Sequence, residues 1–194
     1  ACQQWLAQVA GRVHGTVAID GKSVRGSSKA DARRPLHMVS AWAADMGLLL
    51  GQCKVDGKSN EITAIPELLR LLHLKGCIVT IDAIGCQKSI AGQLHEHGAD
   101  YVLSLKGNQK HMHAVVQKHF EGSSTTEPGC SLYSERFSGH GRKELRSYRV
   151  SPIPEALARA AAHWPALSCI VQVQRHRQQG SQQHRQEGRR GGRH

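Results

Sequence analysis

Two aspartates carry the clearest chemical suggestion in the chain. Asp82 closes the apolar, largely β-branched run Cys77-Ile78-Val79-Thr80-Ile81, which has the composition of a buried strand. Asp20 closes a second such run, Thr16-Val17-Ala18-Ile19, and with Gly21 forms a strong turn dipeptide. A carboxylate leaving a buried strand stands where a sheet meets solvent, positioned by a rigid element. Brought together, two such groups could hold divalent cations through hard oxygens, as metal-assisted phosphoryl transfer requires. Taken by itself, Asp82 reads first as a cap for the helix-like stretch 87–97. The chemistry therefore depends on whether the fold unites the two acids.

The intervening pattern supplies the elements that would do so. Residues 36–44 and 48–55 are strand candidates joined by Asp45-Met46-Gly47, the spacing of a hairpin, so the first three strands form an antiparallel meander. Ser59-Asn60-Glu61 offers a polar helix start, followed by Ile62, Ile65, Leu68, Leu69 and Leu72 at helical spacing. Pro66 places the start of regular helix close to itself. The Asp82 strand, a turn at 83–85 and the helix 87–97 come next. Residues 100–105 read as a fifth strand, and Met112, Val115, Val116 and Phe120 mark one face of a further helix. Three antiparallel strands followed by alternating helix and strand are the order of an α/β, ribonuclease H-like mixed sheet. In that order the first and fourth strands are neighbours. Asp20 and Asp82, 62 positions apart, would then share one end of the sheet.

The remainder is more polar. After a loop at 122–129, residues 131–150 read as strands around Gly139-His140-Gly141, residues 154–163 as a short helix, and 167–173 as a last strand. No apolar residue follows Val173, and the segment 174–194 holds six Arg, no Lys and one Glu, so a disordered basic tail is expected. The formal charge is +11, and +6 without that segment, which points to a polyanionic partner. Six cysteines without a CxxC pair read as reduced thiols, and no apolar run reaches the length of a membrane span. Residues 1–15 read as the end of an N-terminal helical region. The start at Ala1 rather than Met suggests further chain before it.

Five blocks, AIDGKSVRGS (18–27), KSNEITAIPELL (58–69), TIDAIGCQ (80–87), GADYVLSLKGNQ (98–109) and HGRKELR (140–146), closely resemble the ISAs1 group of bacterial insertion-sequence transposases. That group includes the H-repeat-associated proteins, within the IS4-like DDE class. The resemblance runs from about residue 16 to 173. It implies a Mg²⁺- or Mn²⁺-dependent enzyme that cleaves and joins DNA at element ends. The implied division is a catalytic core at 16–121, a β-rich insertion at 122–173 and the tail at 174–194. It implies a cytoplasmic, nucleoid-associated protein with DNA as partner, and a homodimer as a candidate assembly. Asp20 and Asp82 fall on the first two catalytic, metal-holding acids. The family's third acid, a Glu on a late helix in a pattern similar to HWxIExxLHW, has no counterpart in this sequence. Glu144 comes third in order, but its Arg-rich, strand-like setting resembles the insertion. An abrupt change at Val173 into an Arg-rich run resembles out-of-frame translation, so the chain reads as a truncated remnant. The alternative reading is a basic module that holds DNA without cutting it.

Several further residues have both a functional and a plainer reading. Lys22 and Arg25, close behind Asp20, could grip phosphates or sit in a solvated loop. Lys106, Asn108 and Lys110 follow the fifth strand around Gly107 and suit DNA contact. Arg142 could approach DNA as well, within the β-rich region. The pairs His95/His97 and His111/His113 stand two apart on helices, so neither pair shares an ion from regular helix. Cys86 is most simply a small buried filler.

Overall fold

Val17 and Ile19 are buried while Thr16 and Ala18 between them are partly exposed, the period-two pattern of a strand with one packed face. The same alternation recurs in Val39, Ala41 and Ala43, and in Cys77, Val79 and Ile81. A computed structural model describes residues 13–23, 37–55, 61–122, 128–139 and 142–179; at Glu61, Arg142, Gln178 and Gln179 the description is of the backbone alone. Within these ranges the chain forms two compact units, one of residues up to Glu121 with Ile153–Ser168, the other of Gly122–Pro152 with the residues from Cys169 onward.

The first unit holds a five-stranded mixed sheet. Its strands are β1 (Gly15–Ser23), β2 (His37–Ala43), β3 (Leu48–Val55), β4 (Cys77–Ile81) and β5 (Asp100–Leu103), in the order β3-β2-β1-β4-β5. The first two pairings are antiparallel, as the meander requires, while β4 lies parallel to both β1 and β5. Asp45 in the β2–β3 turn accepts the Thr16 amide at 2.9 Å, tying the start of β1 to that turn. A Cβ at Gly15, whose φ is +79°, would overlap the Asp45 carboxylate.

Helices α1 (Glu61–Arg70) and α2 (Lys88–Glu96) cover one face of this sheet. Ala64, Ile65, Leu68, Leu69, Ile90 and Leu94 join the inward residues of β1, β2 and β4 in one core. Truncating a fully buried residue such as Leu68 to Ala would cost about 2–5 kcal/mol. Two details depart from the sequence reading. Helix α1 runs continuously from Glu61 through Pro66, whose carbonyl accepts Gln93 Nε2 of α2 at 2.9 Å. Ile62 is exposed, and Ala64 takes its place in the core. Helix α3 (Lys110–Gly122) and the residues after α4 (Glu155–Ala161) build a smaller cluster in which Trp164 packs with Cys86 and Ala91. The opposite face of the sheet carries Trp42, Leu49, Ile78 and Val102, all exposed.

The second unit is an antiparallel sheet of β6 (Ser131–Gly139), β7 (Arg142–Pro152) and β8 (Cys169–Gln179). Strand β8 runs six residues past Val173, where the apolar pattern ends, so the sequence-based strand end is corrected to Gln179. The reason is electrostatic rather than apolar. Glu144 on β7 receives Arg146 of its own strand, and Arg175 and Arg177 of β8 at 3.2 and 2.9 Å. Residues 180–194 lie outside the described residues, as do 1–12, 24–36, 56–60 with the Ser59-Asn60 helix start, 123–127, and 140–141 of the expected turn.

The Arg146 hydrogen bond, with help from Arg177 and Arg175, holds the Glu144 carboxyl below the ordinary glutamate value of 4.5. A depressed folded-state pKa adds stability that is present above 4.5 and lost as pH falls through the lowered value. Amide-exchange NMR of Arg175–Arg177 should therefore show protection at pH 7 that fades below pH 4.5, and Glu144→Gln should remove it throughout. Equal protection in both proteins would contradict this account of the strand end.

Candidate active site

The register of β1 against β4 decides where the acids lie. Ile19 pairs with Ile81 as the last of five parallel pairs, so the next residue on each strand is an aspartate. Neighbouring strands run about 4.8 Å apart, so Asp20 and Asp82 leave the pairing side by side. Both side chains are exposed. Asp20 is not at the end of its strand, as the Asp20-Gly21 dipeptide suggests. β1 continues to Ser23 against β2, with Gly21 opposite Val39 and Lys22 opposite Met38. What stops at Asp20 is the parallel pairing, because β4 ends one residue earlier in register, at Ile81. That end is held from its other side too, where Ser104 donates its amide to the Ile81 carbonyl at 3.1 Å.

Asp82 has two functions available. Its Oδ1 accepts the Ile84 amide at 3.1 Å and caps the 3₁₀ turn Ala83–Gly85, so the capping reading holds for this turn. Helix α2 begins later, after Gln87, without a side-chain cap. Oδ2 of Asp82 has no protein partner among the described residues and remains available to a ligand. The Asp20 carboxylate meets Lys22 Nζ at 3.0 Å, with both groups open to solvent. Exposed pairs of this kind are worth at most about 1 kcal/mol, so a cation or a phosphate could compete for either partner. Among the described residues no third His, Cys, Asp or Glu joins the two aspartates to make a metal-holding group.

Two amides of the segment after β5 support the Asp82 turn. Asn108 donates to the Ala83 carbonyl and Gln109 donates to the Cys86 carbonyl at 3.0 Å. Asn108, expected from sequence as a DNA contact, thus uses its amide nitrogen to brace the turn. Sequence reading missed this because only the β4–β5 pairing shows that residues 106–110 return beside residues 82–86. Gly85 adds a steric constraint, since a Cβ there would lie 2.3 Å from Ile81 Cγ2. Lys106 and Lys110 are exposed at the same edge, without partners among the described residues. Cys86 is buried and its burial pushes the thiol up, consistent with a filler and not a nucleophile. Arg25 lies outside the described residues. Glu144 belongs to the second sheet, where three guanidiniums engage its carboxylate.

The first sheet and its acids define a mixed α/β domain with an open carboxylate pair where two parallel strands cease to pair. Residues 11–155 match the family described as "Transposase DDE domain", and the chain belongs to that family. A protein of Xanthobacter autotrophicus, "Uncharacterized protein in dhlA 3'region", is 42% identical over 91% of this chain and 59% of its own length. "Putative transposase YncI" of Escherichia coli K12 is 47% identical over 73% of this chain and 58% of its own length. The chain thus spans about three-fifths of the length of these relatives. A piggyBac transposase, solved by cryo-EM as a synaptic complex with hairpin DNA, superimposes at a TM-score of 0.39. That likeness has 11% identity and covers 68% of this chain and 30% of that one.

If Asn108 braces the acid-bearing turn, Asn108→Ala should cost about 1 kcal/mol of stability. It should also speed amide exchange at Ile84 and Gly85 while leaving the β1–β2 hairpin unchanged. Unaltered exchange at Ile84 would show that the turn stands without it.

Proposed function

We propose that this chain carries the ribonuclease H-like catalytic core of an ISAs1-type insertion-sequence transposase, with Asp20 and Asp82 as two of its metal-holding acids. The observation that carries the reading is the Ile19–Ile81 register, which makes the two aspartates neighbours. The donor set fits a hard divalent cation, Mg²⁺ or Mn²⁺: exposed carboxylate oxygens, one unpartnered on Asp82 and one shared only with a solvated lysine. Such ions, when bound, activate the attacking oxygen and stabilise the leaving oxygen of an in-line phosphoryl transfer.

The chain's own residues have distinct tasks in this reading. The sheet fixes the spacing of Asp20 and Asp82, while the Asn108 and Gln109 amides prevent the Asp82 turn from drifting. Lys22 releases Asp20 and turns to a DNA phosphate, and Arg25 lies close behind it in sequence. Lys106 and Lys110 add phosphate contacts at the neighbouring edge, positioning DNA without reading its sequence. The partner is DNA, bound in the cytoplasm at the nucleoid. No HWxIExxLHW-like segment is present among these 194 residues, so the third acid of this reading is not assigned to Glu144 or to any other residue. Within these 194 residues the site therefore has two of its three acids, enough to bind DNA but not to join it.

Calorimetric titration with Mn²⁺ tests the assignment. Asp20→Asn and Asp82→Asn should each weaken binding by about tenfold or more. Glu144→Gln should stay within about twofold, and no strand transfer should be detectable on element-end DNA. Loss of Mn²⁺ binding in Glu144→Gln as complete as in the Asp variants would place the third acid inside this chain.

A further inference from the structure

The three-stranded sheet of the second unit has one face that, among the described residues, combines exposed aromatic rings with a cluster of arginines. Strand alternation puts Tyr133, Glu135 and Phe137 of β6 on it, beside Glu144, Arg146 and Tyr148 of β7 and Val173, Arg175 and Arg177 of β8. The cross-strand rows are Tyr133–Tyr148–Val173, then Glu135–Arg146–Arg175, then Phe137–Glu144–Arg177. Aromatic rings thus stand at both ends of the face with guanidiniums between them. Tyr133 is 64% exposed and Phe137 44% exposed, so both keep ring surface open to solvent.

The charges on this face are already organised. Tyr148 donates its hydroxyl to Glu135, and its ring lies 5.9 Å from that of Tyr133. Glu144 gathers Arg146, Arg175 and Arg177, each through Nε. Arg146 also lies over the Phe137 ring, 4.6 Å from its centroid. Both acids are therefore spent on internal contacts. The terminal nitrogens of Arg175 and Arg177 have no partner among the described residues, and these side chains are 48% and 60% exposed. One carboxylate holding three guanidiniums leaves the fan positive, in a geometry suited to phosphate oxygens. The reverse face adds Arg136, Lys143 and Arg149 and no acid among the described side chains.

Exposed aromatic rings interleaved with arginines on an open sheet are the chemistry that recognises unpaired bases along a phosphate backbone. A duplex presents its bases stacked on one another, so it has no ring faces to offer. We propose that this face binds single-stranded DNA, with bases stacking on Tyr133 and Phe137 and phosphates meeting Arg175 and Arg177. Glu144 acts as a positioning residue, holding the arginine fan open beside the rings. The proposal takes the identity of the polymer from the DNA reading above. It adds a second binding surface and a preference for unpaired strands.

Fluorescence anisotropy of the full chain with a labelled oligo(dT) 15-mer tests it. Comparison ligands are the same strand in duplex form, an abasic strand of equal length, and oligo(rU). Measuring in EDTA removes any role of the carboxylate pair, so failure here and failure of the metal titration are seen separately. Tyr133→Ala and Phe137→Ala should each weaken oligo(dT) binding by about tenfold. Duplex and abasic affinities should stay within about twofold, and Tyr133→Phe should restore oligo(dT) binding. Circular dichroism of each variant confirms the fold, since both positions are on a solvent face. Undiminished oligo(dT) binding in folded Ala variants, or abasic strand binding as tightly as oligo(dT), would overturn the proposal. Tighter binding of oligo(rU) would assign the face to RNA and overturn it as well.

Discussion

The parallel pairing of β1 with β4 is the constraint on which the rest of the first unit depends. Five residue pairs lock the strands in one register, and a slip by one residue would turn every inward side chain outward. Burial of Val17, Ile19, Cys77, Val79 and Ile81 on the same face forbids that slip. The cost of bringing segments 62 positions apart together is met by this core and by α1 and α2 packed over it. The placement of the two aspartates follows without further energy. Each is simply the next residue after the last buried isoleucine.

Around that pairing the structure spends polar groups on holding one short turn. Asp82 caps it from within, Asn108 and Gln109 brace it from the neighbouring strand end, and the absence of a side chain at Gly85 lets it press against Ile81. The proposed metal binding by Asp82 is compatible with this cap, because the two would use different carboxylate oxygens. The cap fixes the side chain's direction before any ligand arrives, which lowers the ordering cost of binding. The second sheet solves a different problem. Its β8 strand is held past its apolar portion by arginines converging on Glu144, so here charge does the work that burial does in the first sheet.

Much of this was legible in the sequence, and the failures have physical causes. The meander, the β4 strand, the turn after it and α2 all follow from alternation, helical spacing and turn residues, and the structure contains them. So does the adjacency of Asp20 and Asp82, because strand order alone predicts it. Asp20-Gly21 misled as a turn because β2 supplies backbone partners on the far side of β1, which single-strand propensity cannot register. Pro66 sits well inside α1, where the surrounding core outweighs its local penalty. The end of β8 was illegible because it depends on ion pairs between residues 33 positions apart. Asn108 looked like a ligand contact for the same reason, its partner Ala83 being visible only once β4 and β5 are paired.

The central claim is that Asp20 and Asp82 form one cation site at the end of that pairing. Anomalous diffraction from crystals of the chain soaked in Mn²⁺ tests it most directly. The account predicts a peak within coordination distance of oxygens from both aspartates, about 2.0–2.3 Å from each, with Lys22 turned away from Asp20. A peak bound by only one of the two, or manganese held at Glu144 in place of the aspartates, would contradict it.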